Sequence, residues 1–195
     1  MAQSLFGTDY DSVQVGGSRS LPAGGYICRI IKARLTQSSN GLPMVEALFD
    51  ICDGEYANYF GDKHKQNMMK NPQAEYPRGG RIKIVAVDEN GHTKGTFKRF
   101  NTSVEHSNDI AELPRDTTAY LNALSGKLVG VIFGREEFQG TDGKMHWATK
   151  PRWYRSVDDI EKGTYEVPDD VYAQPSGGFG GIPDSFSATS DDIPF

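Results

Sequence analysis

Across residues 45–51 the apolar side chains Val45, Ala47, Phe49 and Ile51 alternate with Glu46 and Asp50. A helix returns to the same face only about every 3.6 residues, so this period of two belongs to a strand with one buried face. Such a strand needs a sheet that covers that face, and the chain supplies partners for it. Residues 25–35 read as a strand opened by Leu21-Pro22-Ala23-Gly24, and Ser38-Ser39-Asn40-Gly41 makes the hairpin turn into 44–51. Asp53-Gly54 turns the chain into a third expected strand, 55–60. Residues 81–87 and 127–133 read as further strands, the second with Val129, Val131 and Phe133 on one face. The turn Gly140-Thr141-Asp142-Gly143 leads into 145–149 and 153–154. Residues 97–124 have helical spacing in two pieces broken by Pro114, with Thr117-Thr118 as the expected cap of the second. The expected fold is mainly β, a small closed or partly open barrel with a helical insertion. Periodicity alone leaves an SH3-like barrel or a sandwich equally open.

Charge divides the chain. The net charge of -5 comes from 21 basic and 26 acidic residues, and six of those acids lie within 163–195, where there is no Lys or Arg. Residues 1–162 therefore carry 20 acids against all 21 bases. Within 173–190 four Gly, four Ser and two Pro leave too little apolar area to offset the entropy of ordering, which reads as a flexible linker. The expected organisation is a folded body over 1–162, a disordered acidic linker over 163–190 and a tip over 191–195. That tip, Asp191-Asp192-Ile193-Pro194-Phe195, puts apolar groups where flexible chains are normally polar. It has the chemistry of a docking peptide. Phe195 offers a ring to an apolar pocket, Pro194 holds Ile193 extended, and Asp191 and Asp192 suit a basic rim.

The terminal Asp-Asp-Ile-Pro-Phe after a Gly/Ser/Pro linker resembles the tip of bacterial single-stranded DNA-binding proteins, which coat exposed strands in replication, recombination and repair. That resemblance implies an OB-fold body of five strands and a tip that recruits a helicase, nuclease, primase or recombination mediator. Leu21-Pro22 with Gly24 and Tyr26, the Asn40-Gly41 turn, and Gly126-Lys127-Leu128-Val129-Gly130 followed by Pro151-Arg152-Trp153 are similar to members from phages and mobile elements of Gram-positive bacteria. The body departs from the tetrameric bacterial members, so the resemblance does not imply their tetramer; a homo-oligomer is compatible.

Binding a single strand without regard to sequence needs cations for phosphates and aromatic faces for bases. The densest combination is 141–155, where Lys144, Lys150, Arg152 and Arg155 surround Trp147, Trp153 and Tyr154 against the one acid Asp142. Each tryptophan reads equally as a base platform or as packed core. Tyr56, Tyr59, Phe60 and Lys63 at the end of the expected third strand, with Arg81 and Lys83, form a second set; Lys94, Lys98 and Arg99 form a third at a helix start. An RNA-binding or strand-annealing protein fits the same chemistry.

Catalytic and cofactor motifs are not found. Gly126-Lys127 runs into Leu128 without a phosphate-loop pattern, and His64, His92, His106 and His146 are scattered. Cys28 and Cys52 sit in apolar runs and read as buried thiols. Glu136-Glu137 and Asp158-Asp159 with Glu161 are the nearest thing to a nuclease's metal-binding carboxylates, and solvated acids near turns are the commoner fate. Thus a binding protein with no catalytic residue, metal or cofactor is expected, with a small metal-dependent nuclease or a pure adaptor as alternatives. No apolar run is long enough for a membrane span and residues 1–10 lack a signal-peptide layout, so a cytoplasmic protein is expected.

Replacing Phe195 with Ala should abolish capture of tip partners, which a five-residue peptide would hold at about micromolar affinity, and leave oligo-dT binding intact. Loss of both in parallel titrations would mean that the tail is not a separate module.

Overall fold

Hairpin turns set the order of the sheet. In the computed structural model, which describes residues 20–173, Gly41 takes a left-handed φ of 75° and closes the turn between β1 (Gly24–Gln37) and β2 (Pro43–Ile51). The two pair antiparallel from Cys28 opposite Ile51 to Gln37 opposite Pro43. The alternation in β2 holds: Val45, Ala47, Phe49 and Ile51 are all buried on one face. Glu46 points to the other face and is nonetheless only 4% exposed, because Arg34 of β1 and Arg81 close over it from both sides.

After β2 the chain forms α1 (Tyr59–Lys70) and a short 3-10 turn (Arg78–Gly80), then β3 (Arg81–Val85), which pairs antiparallel with β2. The helices α2 (Gly95–Ser107) and α3 (Thr117–Leu124) follow. The chain returns along the free edge of β1 as β4 (Leu128–Gln139), turns, and pairs again as β5 (Met145–Arg155), before the single helical turn α4 (Val157–Glu161). The sheet order is β3-β2-β1-β4-β5, every pairing antiparallel, with β1 at the centre. Among the described residues no ladder joins β3 to β5, so the sheet is not closed and both are edges. The edges do approach: a Cβ on Gly79, in the turn before β3, would stand 3.2 Å from the Thr149 carbonyl oxygen of β5.

Four rings form the centre of the core. Phe60 stacks on Phe133 at 5.9 Å, Phe49 meets Phe60 edge-on at 5.7 Å, and Tyr26 meets Phe133 edge-on at 5.6 Å. Phe100 and Val104 of α2 and Leu124 of α3 are fully buried in the same core. Cys28 lies within it, Cys52 at its margin, both as free thiols whose burial pushes their pKa up.

Several elements differ from expectation. Residues 55–60 are not a strand; they are a turn and the start of α1. The aromatic run there has strand-like composition, but Asn58 takes a left-handed φ of 61° and the Asp50 carboxylate accepts the backbone N–H groups of Phe60 and Gly61 at 2.9 and 2.8 Å. A helix start has donors to satisfy, and Asp50 satisfies two of them from the neighbouring strand. The expected Thr117-Thr118 cap is Asp116 instead, whose carboxylate accepts from the Ala119 N–H. The two short strands at 145–149 and 153–154 are one. Pro151 is tolerated inside it because β5 is an edge strand that bulges beside it, leaving Arg152 unpaired with β4.

Asp50→Ala should lower unfolding stability by about 1–2 kcal/mol, the usual scale for losing a helix cap, as read from urea denaturation. Unchanged stability would mean that water replaces the carboxylate at the start of α1.

Candidate nucleic-acid interface

Two sets of residues far apart in the chain share one groove. Trp147 and Thr149 of β5 face Tyr59, Phe60 and Lys63 of α1 across a depression of about 340 Å³, also lined by Pro77, Gly79 and Phe138. Pairing explains which way Trp147 points. It lies opposite Glu137, and Thr149 opposite Arg135, on the face of β4 that carries Phe133 into the core. The groove thus continues the core outward. Phe60, 2% exposed, is its floor and offers no free face, whereas Trp147 is 40% exposed. Lys63 places its ammonium 5.5 Å from the Tyr59 ring centroid, and the Arg135 guanidinium lies 5.1 Å from that of Trp147. Aromatic faces with cations held beside them suit stacking of flat, anionic ligands. Tyr56 stands behind Tyr59, edge-on at 6.1 Å. Lys144 is exposed in the β4–β5 turn, three residues before Trp147.

The other expected contacts lie elsewhere. The bulge at Arg152 puts Trp153 opposite Ile132, on the face away from Trp147, where it is half-buried. Lys150 and Arg152 share that second face and both close on Glu136, each at 2.9 Å. These two bonds hold the Glu136 carboxyl below its ordinary pKa against a larger opposing effect of burial. Arg81 is largely buried between Glu75 and Glu46, and Lys83 stands exposed next to Glu46 in the register. Arg155 lies with Lys98 and Arg99 around a separate cavity, and Lys94 immediately precedes α2. The tip, Asp191, Asp192, Ile193, Pro194 and Phe195, falls outside the described residues.

The carboxylates considered for a metal do not converge. Glu136 and Glu137 project to opposite faces of β4, Asp158 pairs with Lys162, and Asp159 caps α4 in a box with Ser156. Among the described residues no group of three or more His, Cys, Asp or Glu is arranged to hold a metal ion, and no helix is long and apolar enough to cross a membrane.

Arg135 and Phe138 were not among the expected residues. For Arg135 a signal exists: continuing the alternation of Val129, Val131 and Phe133 puts Arg135 on the same face. Phe138 follows two acids and carries no comparable signal.

The segment after α4 adds a third element to the groove. Residues 168–173, expected as linker, stay on the sheet along the edge of β4 that β1 leaves free. The Glu137 N–H donates to the Val171 carbonyl at 2.8 Å and the Val171 N–H to the Arg135 carbonyl at 3.0 Å. Pro168 covers Gly134, where a Cβ would come within 2.7 Å of its ring. Asp170 grips Arg135, which holds its carboxyl below the ordinary range, and Tyr172 stands edge-on to Trp147 at 5.3 Å. The strap therefore covers part of the Trp147 ring and neutralises the cation beside it.

No family model matches this chain, and no curated protein matches it.

Tyr172→Ala should raise acrylamide quenching of the Trp147 emission in a Trp153→Phe background. Because docking depresses the Asp170 pKa, its contribution is complete above the ordinary carboxylate value and is lost as pH falls through the lower, docked value; in the parent protein quenching should stay flat from pH 8 to 5 and rise below about pH 4. Quenching indifferent to both changes would mean that the strap leaves Trp147 uncovered in solution.

Proposed function

We propose that this protein binds single-stranded DNA without sequence preference, coating and protecting exposed strands in replication and recombination. One observation carries the reading: Tyr59, Lys63 and Trp147, from separate parts of the chain, meet with Phe138 in one open groove, with Arg135 against the Trp147 ring. Stacking platforms with adjacent cations tolerate any base, because every base has a π-face, and each stacked base is worth about 1–3 kcal/mol.

The body is read as an OB-fold. Its strand order, the helices inserted between β3 and β4, and the approach of the turn before β3 to β5 support a partly open five-stranded barrel. In such barrels oligonucleotides lie over the second and third strands and between the loops after the first and fourth. Here those loops are 38–42 and 140–144, the second of which contributes Lys144. Partner recruitment belongs to Asp191-Asp192-Ile193-Pro194-Phe195, which would dock replication and recombination proteins such as a helicase, nuclease, primase or recombination mediator while the body holds DNA.

The test is a tryptophan-fluorescence titration with oligo-dT, matched duplex and oligo-rU at two salt concentrations. Quenching by oligo-dT, weak duplex binding and affinity that falls with salt are expected. Trp147→Ala should weaken oligo-dT binding by about 5- to 150-fold, the equivalent of one stacked base, and Trp153→Phe should change it little. Equal or tighter binding of oligo-rU would move the reading to RNA. If neither fluorescence nor a label-free method detects oligo-dT at low salt, the reading fails and an adaptor that works through its tip takes its place.

A further inference from the structure

The face of α2 that turns away from the core carries Lys98, Arg99, Thr102 and His106, recurring at three- and four-residue spacing. With Arg155 from the end of β5 they line a cavity of about 400 Å³, separate from the groove. Its cations are gathered around one concavity and, among the described residues, none of them is neutralised by an ion pair. Arg34, Arg81, Arg135, Lys150 and Arg152 each meet a carboxylate, whereas Lys98, Arg99 and Arg155 make no ion pair among the described residues. The acid in the lining is Asp159, and its carboxylate is engaged within the α4 cap, accepting from the Ser156 N–H at 3.3 Å and the Thr164 hydroxyl at 3.4 Å.

Three cations surround this concave site; the one carboxylate facing them, Asp159, is held in the α4 cap within reach of the Arg155 charge, and Arg155 donates to the Tyr154 carbonyl at 3.2 Å, which leaves the site net positive and suited to an anion. Guanidinium forks match the paired oxygens of a phosphate, and Thr102 adds a hydroxyl. A cavity of this volume is in the range that accepts a small ligand and is larger than one phosphate needs. Both sites lie on β5, and the eight steps from Trp147 to Arg155 span about 26 Å at about 3.3 Å per residue.

We propose that the cavity between α2, the end of β5 and α4 binds phosphate groups through Lys98, Arg99 and Arg155, either those of a single strand that has left the groove or those of a free nucleotide. The strand source rests on the function proposed above; the nucleotide source does not.

The decisive comparison is between the full-length protein and a Lys98→Gln/Arg99→Gln double variant. Both side chains are exposed, and matching thermal melts will confirm that the variant folds. Inorganic pyrophosphate is titrated by calorimetry, and a short and a long oligo-dT by anisotropy across salt. If the ligand is free, pyrophosphate binds the parent and the variant weakens it by about ten-fold or more. If the source is the strand, the variant leaves the short oligo unchanged, weakens the long one by about ten-fold and lowers its salt slope by about 1.4, the loss of two phosphate contacts. Equal behaviour of the two proteins with both probes overturns the proposal. Should oligo-dT fail to bind the parent, the groove reading falls on its own and the pyrophosphate titration alone decides the cavity, with no binding there overturning it.

Discussion

The stacking of Phe60 on Phe133 ties the first helix to the sheet, and the candidate groove exists because of it. Phe133 comes from β4 and also meets Phe49 of β2 and Tyr26 of β1, so one ring joins three strands to α1. Rings packed edge-on and offset resist sliding, and burial on this scale is the dominant favourable contribution to folding. With Phe60 fixed, Tyr59 and Lys63, one residue before it and three after, are carried to the rim opposite Trp147. Asp50 holds the same helix by its first turn, so α1 is attached by packing and by hydrogen bonds at once. The groove is thus the margin of the core.

A single unpaired residue sorts the basic segment. Without the bulge at Arg152, Trp147 and Trp153 would share a parity and a face; with it they part. Lys150, Arg152 and Trp153 go to the side where Glu136 neutralises both cations. Trp147 stays on the side where Arg135 lies against its ring. An apparently uniform basic, aromatic stretch therefore becomes two surfaces of different character.

The acidic stretch after residue 163 begins on the sheet before it becomes linker-like in composition. Hydrogen bonds at Val171 and the pairing of Asp170 with Arg135 fasten its first part beside Trp147. An edge of β4 left bare by β1 is a ready acceptor for such a segment, because its backbone donors and acceptors are otherwise unpaired. The same contact covers the edge and changes the charge at the groove, linking the tail to the surface read as the DNA-binding face.

The sequence by itself determined what is local: most of the strand positions, the hairpin turn at Asn40-Gly41, the break at Pro114, and a tail whose composition supplies too little apolar area for a core. Alternation and turn chemistry act over a few residues and need no partner to be read. It led to a strand at 55–60, because aromatic composition there resembles a strand and the acceptor that makes it helical, Asp50, lies on a neighbouring element. Only the tertiary structure decided which cations meet carboxylates, which tryptophan faces the groove, that Phe138 joins it and that Arg135 lies against the Trp147 ring. Those outcomes depend on the register of β4 against β5 and on carboxylates brought from distant positions, and a pairing between strands leaves no period in either one alone.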